Sequence, residues 1–112
     1  MEFLTLERED QLVEIAAAKG NQVIFKHNTT CPISKNAIRR FEEEADVLPE
    51  GTAVYILDLL SHRNMSDQIA EKFKVPHESP QLLLIKDGEC IYSESLYKIS
   101  AEETANAIAE DQ

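Results

Sequence analysis

The stretch VIFKHNTTCPISKNAIRRFEEE, residues 23–44, decides how the fold of this chain is interpreted. It begins with apolar, β-favouring residues typical of a buried strand, and polar residues then lead to Cys31 and Pro32. Beyond Pro32, apolar residues that include Ala37 and Phe41 recur at helical spacing. The pattern predicts a strand, a short turn and a helix, with a cysteine at the turn-to-helix junction.

The position of Cys31 predicts a reactive sulfur. Pro32 suits the first position of a helix, so Cys31 lies at the helix N-terminus. The unpaired N–H groups there and the positive end of the helix dipole stabilise a thiolate. Because the thiolate is the attacking species in thiol–disulfide exchange, we interpret Cys31 as a catalytic nucleophile.

The charge around this cysteine has a sign opposite to that of the whole chain. The sequence has 21 acidic residues, yet none falls between Ile15 and Phe41. Basic side chains occupy that segment: Lys19, Lys26, His27, Lys35, Arg39 and Arg40. Nearby positive charge favours a thiolate and attracts an anionic thiol. The alternative is a solvated basic helix face beside an ordinary buried cysteine.

Ser34 stands where a C-x-x-C motif would have its second cysteine. A serine hydroxyl cannot attack a mixed disulfide, but it can donate a hydrogen bond to the Cys31 thiolate or cap the helix. We therefore expect monothiol chemistry, in which a thiol from another molecule resolves the mixed disulfide. The second cysteine, Cys90, is either a resolving thiol or a small core residue.

The rest of the chain predicts an α/β fold with the order αβαβαββα. We expect one domain, residues 1–112, with a mixed four-stranded sheet covered by helices on both faces. Thr5 is the expected N-cap of the first helix, and Ser100 with Glu103 forms a capping box for the last. An Asp87-Gly88 turn predicts a β-hairpin. The predicted elements are helix 5–19, strand 22–27, helix 32–45, strand 52–59, helix 61–73, strand 81–86, strand 89–95 and helix 100–109.

Composition narrows the classes of partner and location. A formal net charge of −10 repels phosphate backbones and anionic lipids, so we expect neither nucleic acid nor membrane as a partner. The N-terminus lacks the features of a signal peptide, which favours the cytoplasm. The cysteines and the three histidines lack zinc-type spacing, so we expect no metal.

Two motifs resemble a known family. TCPIS at residues 30–34, together with SPQLLLIKDGE at residues 79–89, resembles the thioredoxin-like superfamily and, within it, the YtxJ-like monothiol bacilliredoxins. The resemblance implies a three-layer α/β/α sandwich in which Pro80 follows a cis peptide bond beside the active cysteine. It also implies that the Ser79 backbone pairs with an extended substrate. Thr30 and Pro32, on either side of Cys31, are further candidate substrate-binding residues.

The same resemblance implies a substrate. A YtxJ-like bacilliredoxin removes bacillithiol from S-bacillithiolated proteins of the cytosol and takes up the bacillithiol as a mixed disulfide, here on Cys31. A second bacillithiol, or a bacillithiol disulfide reductase, then regenerates the enzyme, and no other cofactor is expected. Two alternatives are an iron–sulfur-binding protein and a redox-silent interaction module. Pro32 disfavours the former, because cluster-binding monothiol glutaredoxins have glycine at that position.

Overall fold

A computed structural model describes residues 1–111 as five strands and four helices around one mixed sheet. The strands are β1 (Glu2–Thr5), β2 (Asn21–His27), β3 (Ala53–Asp58), β4 (Gln81–Lys86) and β5 (Glu89–Ser95). The helices are α1 (Glu9–Ala17), α2 (Pro32–Glu44), α3 (Arg63–Phe73) and α4 (Ala101–Glu110). Short 3₁₀ turns follow α2 at Ala45–Val47 and β5 at Leu96–Lys98.

The strand order is β1-β3-β2-β4-β5, and it explains the predicted mixture of directions. β3 lies parallel to both β1 and β2, whereas β4 lies antiparallel to β2 and β5. The predicted hairpin joins β4 to β5, and both Asp87 and Gly88 have positive φ angles, as a tight right-twisted turn requires. At Gly88 a Cβ atom would lie 2.7 Å from the carbonyl oxygen of Ala16, so this position also requires a residue without a side chain.

The expectation of a four-stranded sheet was wrong, because the sheet has a fifth strand at its edge. β1 pairs with β3, and Thr5 is its last residue rather than a helix cap. Helix α1 begins only at Glu9, with Arg8 as its N-cap residue. A four-residue edge strand has too few residues for a clear period-2 pattern, so no element was predicted before the helix at 5–19.

Strand alternation divides the core into two layers. Val23 and Phe25 of β2 pack with α2 and α4 on one face, whereas Ile24 packs with α1 and α3 on the other. Lys26 has the same parity as Ile24 and therefore points toward α3. α4 begins as predicted, with the Ser100 hydroxyl accepting a hydrogen bond from the Glu103 N–H at 3.2 Å. No helix within residues 1–111 has the length and apolar character needed to cross a membrane.

Candidate active site

Cys31 is the N-cap residue of α2, and Pro32 takes the first helical position, as the sequence predicted. The Cys31 N–H donates to the carbonyl oxygen of Asn28 at 3.2 Å, and its own carbonyl accepts from the Lys35 N–H at 2.9 Å. The residue is half-buried, so solvent reaches it. The first N–H groups of a helix have no intrahelical partner, and Cys31 directly precedes those of α2. The helix start that the prediction of a nucleophilic Cys31 requires is therefore present.

The turn before Cys31 is held by the side chain of Asn28. Its Oδ1 accepts hydrogen bonds from the Thr30 N–H at 3.0 Å and from the Thr30 hydroxyl at 2.9 Å. Thr30 is therefore fixed in the turn and exposed next to Cys31, and Pro32 is exposed on the other side. Both candidate substrate contacts flank the thiol on an accessible surface.

Ser34 lies one turn into α2 and is completely buried. Its Oγ accepts a hydrogen bond from the Asn28 N–H at 2.9 Å and lies 2.7 Å from Nδ1 of His27. These bonds tie the first turn of α2 to the end of β2. Among residues 1–111 they are the hydrogen bonds that the Ser34 hydroxyl makes, so this side chain fixes the loop that carries Cys31.

The surroundings of His27 favour its neutral form. Burial lowers the pKa of its imidazole, and the positive charge of Lys35 lowers it further, against the opposing effects of Asp58 and Glu42. Asp58 is the residue paired with His27 across β2 and β3. Its carboxylate also accepts hydrogen bonds from the Leu60 N–H and the Ser61 hydroxyl, so it organises the loop after β3.

The Ser79–Pro80 peptide bond is cis, as the family resemblance implied. Gln81 pairs with Lys26, so the antiparallel register continues with Pro80 beside His27, the residue four before Cys31. The Pro80 carbonyl accepts a hydrogen bond from the Leu96 N–H at 3.1 Å. Within residues 1–111 the backbone N–H and C=O of Ser79 make no hydrogen bond, which leaves them open to a ligand strand.

The positive charge around Cys31 is smaller than the sequence segment suggested. Lys19 precedes the start of β2, at the opposite end of the sheet, and Lys26 points to the α3 face. Arg39 forms an ion pair with Glu43, with a nitrogen–oxygen distance of 3.0 Å. Lys35 remains as the exposed cation closest along the helix to Cys31. A sequence segment contains no information on which side chains a strand sends to its other face.

Cys90 lies too far from Cys31 to resolve it within one chain. It pairs with Ile85, which in turn pairs with Gln22 near the start of β2. At about 3.3 Å per residue, the path from there to His27 alone spans roughly 17 Å, whereas a disulfide needs Cα atoms within about 7 Å. Burial also raises the pKa of the Cys90 thiol. Cys90 therefore behaves as the small core residue of the two alternatives.

Comparison with known proteins identifies the family. A family model for monothiol bacilliredoxin BrxC matches residues 4–104. The chain belongs to this family. Within residues 1–111, no group of three or more His, Cys, Asp or Glu side chains is arranged to hold a metal ion.

Solved structures agree with the family on fold, and one that is 30% identical also agrees on general chemistry. A proposed oxidoreductase with a thioredoxin fold is 30% identical, with a TM-score of 0.83 over 94% of this chain and 92% of that chain. A thioredoxin of Malassezia sympodialis is 21% identical, with a TM-score of 0.71 over 96% of this chain and 89% of that one. A thioredoxin mutant of Halobacterium salinarum is 14% identical, with a TM-score of 0.69 over 97% and 89%. This bacilliredoxin-family chain therefore has a thioredoxin fold and a thiol oxidoreductase function.

Sequence reasoning missed two residues whose polar groups shape the site. Asp58 was placed only within a strand, and Leu96, whose N–H bonds Pro80, was given no role. The hydrogen bond between Ser34 and His27 joins residues seven apart, and no periodic pattern predicts it. By contrast, the position of Lys26 on the α3 face follows from strand alternation alone, and that signal was available in the sequence.

Proposed function

We propose that this chain removes bacillithiol from S-bacillithiolated proteins by a monothiol mechanism in which Cys31 takes up the bacillithiol. One observation carries the monothiol part of the proposal. Cys31 stands at the start of α2 with Ser34 in the place of a second sulfur, while Cys90 lies at the other end of the sheet. Membership of the bacilliredoxin family supports bacillithiol as the small thiol.

In the first step the Cys31 thiolate attacks the bacillithiol sulfur of the client's mixed disulfide. The bond between the two sulfurs breaks as the new bond to Cys31 forms. The client thiolate leaves and takes a proton from solvent. The client is thereby reduced, and Cys31 carries bacillithiol as a mixed disulfide.

In the second step another molecule must reduce the enzyme. A second bacillithiol thiolate attacks the bacillithiol sulfur and releases the Cys31 thiolate, which the start of α2 stabilises. The product is bacillithiol disulfide, which a bacillithiol disulfide reductase would return to the thiol. The proposed co-substrate is therefore bacillithiol itself, with no bound cofactor.

Three features support binding of such a substrate. The unpaired Ser79 backbone can add to an extended client segment by strand-like hydrogen bonds. Thr30 and Pro32 are exposed on either side of the thiol and can contact the client. Lys35, exposed one turn into α2, can attract the malate carboxylates of bacillithiol.

The proposed location is the cytoplasm, where bacillithiolated proteins would be the clients. The cluster-binding and redox-silent alternatives make different predictions. A cluster would give visible absorption in the purified protein. An inert Cys31 would react with iodoacetamide at the rate of an ordinary thiol.

The test compares two forms of one client protein, with its cysteine capped either by bacillithiol or by free cysteine. Release of the client thiol is followed under excess bacillithiol. We expect faster release from the bacillithiol-capped form, and no enzyme-dependent release with Cys31→Ala. Equal rates for the two caps would contradict bacillithiol specificity while leaving the thiol oxidoreductase function intact.

A further inference from the structure

Lys26 is a charged side chain buried completely inside the protein. Among residues 1–111 it is the one charged residue whose side chain is buried. Its Nζ lies 3.4 Å from Nδ1 of His77, and the Ser66 hydroxyl lies 3.0 Å from the same nitrogen. These three side chains, which we call the Lys26 cluster, join β2, α3 and the loop before β4. The proposed chemistry at Cys31 uses none of them, since they lie on the α3 face of the sheet and Cys31 lies at the start of α2, on the other face.

The Lys26 cluster holds the loop that carries the cis peptide bond. His77 precedes Ser79 by two residues. On the other side of the loop, the buried Gln81 side chain donates to the Pro76 carbonyl at 3.0 Å and accepts from the Glu78 N–H at 3.4 Å. Buried polar side chains thus fix residues 76–80 from two directions.

The charges around the cluster determine its protonation near neutral pH. Burial lowers the pKa of Lys26 to about 8, with Asp67 opposing this change and Arg63 adding to it. Burial, followed by Lys26 and Arg63, lowers the pKa of His77, while Asp67 and Glu78 oppose. At pH 7 the ammonium is therefore protonated and the imidazole is neutral. Nδ1 of His77 can then accept a hydrogen bond from Lys26.

An apolar residue would serve the packing at this position better. A buried charge with one hydrogen-bond partner loses much of its hydration, and replacing such a group by an apolar side chain of similar volume often stabilises a protein. Neighbouring Ile24 shows that this face of β2 accepts apolar side chains. A residue that breaks the packing rule without a gain in stability points to a functional role.

We propose that Lys26 and His77 are positioning residues that hold residues 76–80 so that the Ser79 backbone is ready to pair with an extended client. The proposal rests on the proposed function, in which the client is a protein disulfide. It predicts that loss of the cluster weakens client binding and leaves the chemistry at Cys31 unchanged. The Ser79 backbone would still be present but would sample more conformations, which lowers affinity.

The experiment measures client exchange and Cys31 alkylation in the same variants. Lys26→Met and His77→Ala should raise KM for a capped client protein about fivefold or more, with kcat changed less than about twofold. The iodoacetamide rate at Cys31, which needs no loop contact, should also stay within about twofold. His77→Asn keeps a hydrogen-bonding atom near the Nδ1 position and should restore most of the affinity.

Lys72→Met is the matched control, since Lys72 is exposed in the last turn of α3, away from the cluster. If Lys26→Met and His77→Ala change KM no more than Lys72→Met does, the proposal is wrong. His77→Ala leaves an ammonium buried without a partner, so it can unfold the protein. The double variant Lys26→Met/His77→Ala removes that charge and keeps the KM measurement possible.

A substrate-free readout separates this proposal from the proposed function. Amide hydrogen exchange at Glu78, whose N–H donates to the Gln81 side chain, should accelerate at least about fivefold in Lys26→Met, with little change in Lys72→Met. Unchanged exchange would overturn the positioning role even if the wild type removes bacillithiol. Faster exchange, in a protein whose wild type does not act on bacillithiolated clients, would contradict the proposed substrate. The role of Lys26 and His77 in holding residues 76–80 would remain.

Discussion

The two ends of the sheet each carry a cysteine, but they are built from different kinds of residue. At the Cys31 end, where β2 and β3 finish and β4 begins, four polar side chains are buried on the two faces of the sheet: Lys26, Ser34, Ser66 and Gln81. At the hairpin end, where β2 begins and β4 turns into β5, Cys90 packs against the apolar cluster under α1 and α3. The buried Thr52 is bonded there to the Pro49 carbonyl at 2.7 Å.

This difference indicates where the fold serves function rather than packing. Polar groups buried at the Cys31 end hold two loops, the one that carries Cys31 and the one that carries Pro80. At the hairpin end the backbone packs closely instead. Gly88, for example, lies so near the carbonyl oxygen of Ala16 that a side chain would not fit there. Natural proteins depart from the local rules mainly at functional sites. The predictions below compare the two ends, starting with the largest expected effect.

Replacing each cysteine in turn gives the sharpest contrast. Cys31→Ser should lower client release by at least about a thousandfold, because the nucleophile is lost. Cys90→Ser should leave the rate unchanged, since Cys90 cannot reach Cys31. The measurement is the initial rate of client thiol release. A large loss of activity in Cys90→Ser, with the fold intact by circular dichroism, would mean that the hairpin end takes part in the chemistry.

The two thiols should differ in reactivity by roughly a hundredfold at pH 7. Cys31 lies at the start of α2, the position that we interpret as that of the nucleophile, whereas burial raises the pKa of Cys90. Iodoacetamide rates are measured on Cys90→Ser for Cys31 and on Cys31→Ser for Cys90. In concentrated guanidinium chloride the two rates should converge. Equal rates in the folded protein would instead show that the start of α2 does not make Cys31 more reactive than Cys90.

Lys26 should make stability depend on pH. Its folded pKa is about 8, below the ordinary value of 10.5. Between these two values the unfolded chain binds the proton that the folded chain has lost. The free energy of unfolding should therefore rise with pH by on the order of 2–3 kcal/mol relative to Lys26→Met.

Urea unfolding at pH 7, 8, 9 and 10 measures this difference. Below pH 8 the ammonium is buried at its full cost, so Lys26→Met should be the more stable protein there. Lys72→Met should follow the wild-type curve. Parallel curves for wild type and Lys26→Met would show that burial does not lower the pKa of Lys26.

Ser34→Ala should have the smallest effect of these, lowering the free energy of unfolding by about 1–2 kcal/mol. The change leaves the Asn28 N–H and the His27 ring without their buried partner. Ser93, exposed on β5, provides the control, and Ser93→Ala should stay within about 0.5 kcal/mol. If Ser34→Ala also slows Cys31 alkylation more than about tenfold, the hydroxyl does donate to the thiolate.

Local patterns predicted most of the architecture and the position of the nucleophile. The strand-to-helix junction at Cys31, the Asp87-Gly88 hairpin and the Ser100 cap each depend on residues close together in the chain. The edge strand β1 did not follow, because its pairing with β3 joins residues about fifty positions apart. The contact of Lys26 with His77 is long-range for the same reason. Sequence charge near Cys31 was misjudged because proximity in the chain was equated with proximity in space.

The most direct test of the monothiol mechanism is the mass of the trapped intermediate. The protein is mixed with a bacillithiolated client, quenched with acid after one turnover and analysed by intact mass and peptide mapping. The account predicts one bacillithiol on Cys31 in both wild type and Cys90→Ser. A chain that lacks two hydrogen atoms and contains a Cys31–Cys90 disulfide would contradict it.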